Sequence, residues 1–329
     1  MLVTGGAGYI GAHMLLALLD AGEDVVALDN LSTGAEWMTP NGVPLIVADV
    51  GDEDVLKPVF RDHDIREVIH FAGSILVPES IEHPLDYYAN NTAKTLKLLR
   101  ACVEAGVKRF IFSSTAAVYG TPERVPITEQ ATIKAITPYG ASMAMSERIL
   151  EDVAAAHDLS YVTLRYFNVA GADPDGRAGE LGIPTHLIKA AAQIAIGARK
   201  EKFQVYGGDY DTPDGAAIRD YVHVTDLADA HLKALKHLRD GNASATLNCG
   251  YGRGYSVFEV LDAFKRVMGR DLPYEVVARR AGDPPQLIAD NAAIRTILDW
   301  RPRYDEIDFI VETALKWEQQ LADQSGDAT

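Results

Sequence analysis

The stretch LVTGGAGYIGAH, residues 2–13, decides the fold of this chain. Its first residues predict a short strand, and Gly5, Gly8 and Gly11 follow it where an amphipathic helix pattern begins. Glycine lets a turn of backbone approach a pyrophosphate closely, and the helix N-terminus adds N–H groups and a positive dipole. The stretch therefore predicts a dinucleotide-binding turn, and a tight turn that merely needs small residues is the alternative.

Strand-like and helix-like segments alternate through the first half of the chain. The strand-like runs are LVTGG, DVVALDN, PLIVADV, EVIHFAG, RFIFSST and YVTLRYFN. This alternation predicts an α/β protein with a Rossmann-type doubly wound parallel sheet and helices on both faces. We predict a dinucleotide-binding domain at residues 1–170, to which a segment around 221–250 returns, and a smaller C-terminal α/β domain at 171–329.

Composition narrows the class of protein. The chain has 329 residues, of which 47% are hydrophobic and 24% charged, as expected for two closely joined globular domains. The net charge of −16 and the lack of a concentrated basic patch predict no nucleic-acid partner. Without an N-terminal signal pattern or a long apolar run, we expect a cytoplasmic protein with no membrane partner. Cys102 and Cys249 have no metal-ligand spacing and the histidines do not cluster, so we expect reduced thiols and no metal.

Carboxylates and small residues follow the next strand patterns at the expected ligand edge of the sheet. Asp29 ends the second pattern, where a carboxylate accepts hydrogen bonds from the adenosine ribose and repels a 2′-phosphate. This favours NAD over NADP. Asp49 could receive the adenine amino group, and an ordinary turn aspartate is the alternative. Phe71, Ala72 and Gly73 end the fourth pattern at the same edge.

Hydroxyl side chains near the predicted ligand edge indicate the type of reaction. Ser113 and Thr115 end the fifth strand pattern, and Tyr139 begins the next long helix pattern. Near a nicotinamide, such a tyrosine can take a proton as hydride leaves an alcohol carbon, while the serine or threonine orients the hydroxyl. A tyrosine with a pKa near 10 is a poor base at neutral pH, and a lysine one helical turn along would lower that pKa. This chain has Met143 there.

The glycine turn, the SST strand end and the Tyr139 helix together resemble the extended short-chain dehydrogenase/reductase family. Within it, the phrases TGGAGYIGAH, DNLSTG, HFAG, FSSTAAVYG, LRYFNVAGA, IRDYVHVTDLA and RRAGDPP are similar to the UDP-glucose 4-epimerases, in order, along nearly the whole chain. The resemblance implies interconversion of UDP-glucose and UDP-galactose by transient oxidation at C4 with tightly bound NAD, in a homodimer. Ala116 and Ala117 stand where related nucleotide-sugar 4,6-dehydratases usually carry an acidic pair.

The resemblance also implies residue roles. Tyr139 is the catalytic base, Thr115 its hydroxyl partner, and Met143 takes the place of the expected lysine of YxxxK. The implied cofactor-binding residues are Gly5, Gly8, Tyr9, Ile10, Gly11, Asp29, Asn30, Asp49, Val50, Phe71, Ala72, Gly73, Asn90, Ser113, Tyr139 and Tyr166. The implied UDP-sugar-binding residues are Thr115, Tyr139, Asn168, His186, Leu187, Tyr206, Arg219, Arg280 and Asp283.

Several of these assignments have plain alternatives. Asn90 could instead be a helix N-cap, and each of Asn168, Arg219, Arg280 and Asp283 could be a surface or capping residue. Leu287 matches the family position whose bulk limits sugar size, and a core leucine unrelated to substrate is the alternative.

Met143 is the departure that bears on function. A cation at about 4–5 Å from the Tyr139 oxygen, with an effective dielectric near 20, is worth roughly 3–4 kcal/mol. Its loss corresponds to about two to three pKa units, so we expect a mostly protonated tyrosine and impaired turnover. Such a replacement is typical of a substitution made to trap a ligand; a natural variant with a compensating cation is the alternative. The alternative functions are a 4,6-dehydratase or net dehydrogenase of the same family, or a catalytically silent UDP-sugar-binding protein.

Overall fold

The structure is a computed structural model that describes residues 1–184, 186–280 and 283–326. Residues 327–329 of the predicted second domain, and Ala281 and Gly282 of the RRAGDPP phrase, lie outside the described residues. Among the described residues, no helix is both long enough and apolar enough to cross a lipid bilayer.

Seven parallel strands form the central sheet, as the alternation predicts. They are β1 (Leu2–Thr4), β2 (Val26–Asp29), β3 (Leu45–Val47), β4 (Glu67–His70), β5 (Arg109–Thr115), β6 (Ser160–Tyr166) and β11 (Ala245–Cys249). Their order is β11-β6-β5-β4-β1-β2-β3, with every neighbouring pair parallel. The predicted Rossmann-type class is confirmed. The segment around 221–250 contributes β11, whose residues 245–249 pair with β6.

Eleven α-helices are present in the described part of the chain. They are α1 (Tyr9–Asp20), α2 (Glu53–Asp62), α3 (Val77–Glu82), α4 (Pro84–Tyr87), α5 (Lys94–Ala105), α6 (Pro138–Ala156), α7 (Leu187–Ala195), α8 (Val224–Arg239), α9 (Val257–Met268), α10 (Ala292–Ile297) and α11 (Ile307–Gly326). Short 3₁₀ helices span Glu36–Met38 and Ala116–Tyr119, and a π-helix spans Tyr88–Ala93.

Helices cover both faces of the sheet because successive strand residues point to opposite sides. Val3 and Ile111 pack in the cluster that contains residues of α1 and α8. Leu2, Phe110 and Phe112 pack in a second cluster with residues of α2, α5 and α6. Strands buried on both faces read as continuous apolar runs, which is what the sequence shows.

Smaller sheets lie in the second half of the chain. Strand β7 (Asn168–Ala170) pairs in parallel with β10 (Tyr221–His223), and β8 (Phe203–Tyr206) pairs in parallel with β13 (Tyr274–Val277). Strand β9 (Ile218–Arg219) lies between β12 (Tyr255–Ser256) and β14 (Gln286–Leu287). The boundary between two domains near residue 170 stays a prediction.

Candidate active site

The glycine turn after β1 is a position where side chains cannot fit. Gly5 has φ +70°, and a Cβ there would lie 2.7 Å from the Ala72 nitrogen. A Cβ on Gly11 would lie 2.0 Å from the Gly5 carbonyl oxygen. Gly8 is the N-cap of α1 and makes no side-chain cap hydrogen bond, so no described side chain satisfies the first N–H groups of this helix. Such a cradle fits the pyrophosphate of a dinucleotide.

Asp29 connects the glycine turn to the loop that follows β2. The side chain is buried, its Oδ2 accepts from the Ala7 N–H at 3.0 Å, and its Oδ1 accepts from the Leu31 N–H at 2.8 Å. Two backbone donors hold the carboxylate beside the turn while leaving further lone pairs on both oxygens. Tyr9 at the start of α1 donates to the Gly171 carbonyl at 2.6 Å and attaches this helix to the second half of the chain.

Three hydrogen-bond donors hold the side chain of Asp49 in place. Its Oδ2 accepts from Lys94 Nζ at 2.5 Å and from Asn30 Nδ2 at 3.4 Å, and its Oδ1 accepts from the Gly51 N–H at 2.8 Å. Val50 beside it is buried. Asn30 and Asp49, two of the predicted cofactor-binding residues, are therefore brought together. The lysine partner on α5 has no signal in the local sequence.

Asn90 lies inside the π-helix Tyr88–Ala93 and not at a helix N-cap. The N-cap alternative is wrong, because α4 runs into the π-helix and the residue before it is already helical. Asn90 Nδ2 donates to Ser74 Oγ at 2.9 Å, just after the Phe71–Gly73 strand end. Single π-helical turns often occur at functional sites. Its neighbour Asn91, which sequence reasoning missed, accepts from the Ser74 N–H at 2.7 Å.

Ser113 faces a buried histidine. The distance between its Oγ and His231 Nε2 is 2.8 Å, and His231 also contacts the Phe71 ring with centroids 4.8 Å apart. Burial lowers the pKa of His231 to about 4, so the ring is neutral at pH 7. The predicted cofactor residues Ser113 and Phe71 therefore meet through a residue of α8 that sequence reasoning did not single out.

The start of α6 is shaped to approach β5. Thr137 caps the helix by accepting from the Gly140 N–H at 3.2 Å, and Pro138 takes the first helical position. A Cβ on Gly140 would lie 2.5 Å from the Ala117 carbonyl oxygen. Glycine here allows the helix to lie directly against the segment after β5, which brings Tyr139 to Thr115.

Tyr139 and Thr115 are neighbours, and both residues are buried. Burial raises the pKa of Tyr139 above its usual value of 10, and the nearby Thr115 hydroxyl lowers it by a smaller amount. Neither burial nor the Thr115 hydroxyl supplies a positive charge beside the phenol. Met143 is 9% exposed and belongs to the same apolar cluster as Tyr139. The phenol is therefore neutral at pH 7, and no described cation compensates for the missing lysine.

A buried ion pair stands one turn beyond Met143. Arg165 Nη2 donates to Glu147 Oε2 at 2.6 Å, and both side chains are buried. Ser114 donates to the other oxygen of Glu147, which joins α6 to the end of β5 next to Thr115. Tyr166 opposes Thr115 in the strand register. Sequence reasoning missed Glu147, although its spacing from Tyr139 and Met143 places it on the same helix face.

The predicted UDP-sugar residues come from several loops of the second half. Arg219 Nη2 is 3.8 Å from Asp283 Oδ1, and the Arg280 guanidinium lies 3.7 Å from the centre of the Tyr206 ring. Leu287 opposes Arg219 in the register of β14 and β9 and packs against the cluster of Tyr139. These contacts pair the predicted residues with one another.

The remaining predicted residues lie at element ends. Asn168 begins β7, and its neighbour in β10 is Tyr221. His186 is the N-cap residue of α7 and Leu187 its first residue. Burial lowers the pKa of His186, but the Glu180 carboxylate, 2.8 Å away, outweighs this and raises the pKa above 6.5.

The glycine turn after β1, the Phe71–Gly73 segment after β4 and Thr115 at the end of β5 lie together at the carboxyl edge of the sheet, since these three strands are adjacent and parallel. A doubly wound sheet with a glycine cradle and a buried Thr–Tyr pair at this edge defines a dinucleotide-dependent enzyme scaffold. Residues 1–250 match the profile of the NAD dependent epimerase/dehydratase family. The chain belongs to this family.

Relatives match the chain along its whole length. A UDP-glucose 4-epimerase of Azospirillum brasilense is 55% identical over all of this chain and 94% of its own. A crystal structure of UDP-glucose 4-epimerase from Bifidobacterium longum in complex with NAD⁺ and UDP is 41% identical, with a TM-score of 0.93 over 98% of both chains. One from Brucella ovis in complex with NAD is 44% identical, with a TM-score of 0.92 over 96% of this chain and 97% of its own.

Proposed function

We propose that this chain is an NAD-dependent UDP-hexose 4-epimerase that interconverts UDP-glucose and UDP-galactose, and that Met143 lowers its rate. The observation that carries the proposal is the buried pair of Thr115 and Tyr139 at the ligand edge of a sheet that begins with a glycine cradle. Relatives named UDP-glucose 4-epimerase, at 55% and 47% identity over nearly the whole chain, support the substrate class.

The proposed roles rest on the family resemblance and on the positions of these residues. Bound NAD would accept hydride from C4 of the sugar and return it to the opposite face. Tyr139, in its deprotonated form, accepts the proton of the C4 hydroxyl and gives it back to the C4 oxygen when hydride returns, while Thr115 orients that hydroxyl and lowers the pKa of the phenol. Arg219 and Arg280 supply charge-assisted hydrogen bonds to the pyrophosphate of the UDP group. Asp283, the ion-pair neighbour of Arg219, accepts from ribose hydroxyls.

The proposal also assigns each ligand to one part of the chain. Residues 1–170 with the returning segment around 221–250 hold NAD, and residues 171–329 hold the UDP-sugar. Most of the predicted cofactor residues lie before β6, whereas Arg219, Tyr206 and His186 lie in the loops and small sheets after β7. The cytoplasmic location stays a prediction.

Met143 makes a second function worth testing. Because burial raises the pKa of Tyr139 and no described cation offsets it, the chain could bind UDP-sugars without converting them. A buried Thr115–Tyr139 pair is unnecessary for binding alone, which favours the enzyme. A 4,6-dehydratase is disfavoured because the site has Ala116 and Ala117 where an acidic pair is needed, and Ala116 is buried.

We also propose that the chain forms a homodimer through α5 and α6. Leu96 on α5 and Met145 on α6 are 40% and 48% exposed, and Leu85 on α4 is 79% exposed. Large apolar side chains exposed together on neighbouring helices are typical of an interface. Sedimentation velocity of the chain and its Leu96→Glu/Met145→Glu variant tests this, since the variant should sediment as a monomer.

One experiment separates the functions. UDP-galactose and UDP-glucose are incubated with the chain and with its Met143→Lys variant, and the product sugars are identified by NMR. Interconversion by both, faster in the variant, supports the epimerase. UDP-sugar binding without conversion in either protein supports the silent binder, and release of a 4-keto-6-deoxy sugar would identify a dehydratase.

A further inference from the structure

Two tryptophans join the C-terminal helix to the loop that follows β2. Trp317 on α11 is 3% exposed, and its ring stacks on Trp37 with centroids 6.2 Å apart and planes at 27°. Trp37 lies in the 3₁₀ helix Glu36–Met38 and is 57% exposed. The exposed ring of this loop therefore rests on a buried ring from the far end of the chain.

The loop that carries Trp37 is fastened to the glycine cradle. The Ala35 N–H donates to the Ala7 carbonyl at 3.1 Å, and a Cβ on Gly34 would lie 2.6 Å from the same oxygen. Met38 is buried in one apolar cluster with Ala12 of α1 and with Trp317. The loop that carries Trp37 is therefore attached directly to the backbone of the turn that would hold the pyrophosphate.

The other side of Trp317 contacts the loop before α7. Its Nε1 donates to the Glu180 carbonyl at 3.0 Å, and a Cβ on Gly179 would lie 2.5 Å from the indole ring. The Glu180 carboxylate in turn holds His186 Nδ1 at 2.8 Å. Because Gly179 leaves no space beside the ring, the loop and the indole must move together.

A buried lysine fixes this loop to the same turn of α11. Lys189 Nζ donates to the Glu180 carbonyl at 2.8 Å and to Glu318 Oε1 at 2.5 Å. Gln193 Nε2 donates to the second oxygen of Glu318 at 3.0 Å. The turn of α11 that contains Trp317 and Glu318 is thus held by the loop and by α7 at once.

We propose that Trp37 and Trp317 are positioning residues that couple the UDP-sugar loop to the NAD loop. A nucleoside diphosphate such as UDP orders the loop that ends at His186, and Trp317 is then held more firmly. The stack of Trp317 on Trp37 in turn keeps the loop after β2 closed over the bound dinucleotide. The stack thereby slows the release of NAD when UDP is present. This inference rests on the proposed function, because it requires NAD in the glycine cradle.

The test is the exchange of bound NAD for ¹³C-labelled NAD, followed by mass spectrometry of the gel-filtered full-length protein with and without UDP. Trp37→Ala removes the stack, and Trp37→Phe keeps an aromatic ring. Tyr274→Ala is the matched control, since Tyr274 is a 47% exposed aromatic residue that packs on Phe258 instead. The exposure of Trp37 means that its removal leaves no buried cavity, and thermal unfolding checks this.

We expect Trp37→Ala to exchange NAD about three- to tenfold faster than the unchanged chain, the range that one lost aromatic pair implies. UDP should slow exchange in the unchanged chain, in Trp37→Phe and in Tyr274→Ala, and should lose this effect in Trp37→Ala. Equal exchange in Trp37→Ala, or full UDP protection in it, would overturn the coupling. A gel-filtered chain that contains no NAD, labelled or unlabelled, would instead overturn the proposed function.

Discussion

Replacement of Met143 by lysine should restore the ability of Tyr139 to act as a base near pH 7. Tyr139 and Met143 stand one helical turn apart and are buried in one apolar cluster, so an ammonium group at position 143 would be held beside the phenol with little solvent screening. At about 4–5 Å and an effective dielectric near 20, this charge is worth roughly 3–4 kcal/mol. It should lower the pKa of Tyr139 by about two to three units.

The effect of the missing charge at position 143 should be visible in the pH dependence of kcat. A base acts only when deprotonated, and the raised pKa of Tyr139 means that kcat should climb about tenfold per pH unit from pH 7 upward. In Met143→Lys this rising limb should move down by about two to three pH units, and kcat at pH 7 should rise by about two to three orders of magnitude. The assay is conversion of UDP-galactose to UDP-glucose between pH 6 and 10.

Met143→Gln is the matched control because it adds a polar group of similar length without charge. Its kcat and pH profile should match those of the unchanged chain. If Met143→Lys also left kcat and the pH profile unchanged, the reasoning from the missing cation would be refuted. A rise in Met143→Gln equal to that in Met143→Lys would show that polarity rather than charge matters.

Three further predictions concern the site and its support. In the Met143→Lys background, Tyr139→Phe should lower kcat by about 10²–10⁴-fold with KM little changed, and an active Phe variant would exclude the phenol as base. Glu147→Gln leaves the buried charge of Arg165 without its partner and should lower the free energy of unfolding in urea by about 3–5 kcal/mol; a loss below 1 kcal/mol would contradict this. Burial lowers the pKa of His231 to about 4, so the unfolded chain binds its proton first and stability is lost as pH falls from about 6.5 to 4. His231→Gln should remove up to about 3 kcal/mol of that pH dependence, measured by urea unfolding at each pH.

Local patterns were sufficient for the fold and for much of the candidate site. Gly11 is required by sterics against the Gly5 carbonyl, only six residues away, and Gly5 by its positive φ, although the space beside Gly5 is closed by the distant Ala72 backbone. The helix cap at Thr137 and the position of Tyr139 at the start of α6 are equally local. Strands buried on both faces also give continuous apolar runs, and these identified six of the seven strands of the central sheet in the first half of the chain.

Contacts between distant residues could not be obtained in this way. Ser113 meets His231 across 118 positions, and Trp37 meets Trp317 through the packing of α11. The π-helical turn at Asn90 is likewise invisible to a pattern of period 3.6, which is why an N-cap remained a reasonable alternative there.

The sequence by itself determined the parallel sheet and the glycine turn, because these depend on periodicity and on local backbone conformation, and it placed Thr115 and Tyr139 at a strand end and a helix start. Only the tertiary structure decided that these two residues are neighbours, that burial raises the pKa of Tyr139, and that the cofactor loop rests on the C-terminal helix. The physical reason is that desolvation and long-range packing depend on which elements surround a residue. Those neighbours are set only by the tertiary fold of the whole chain.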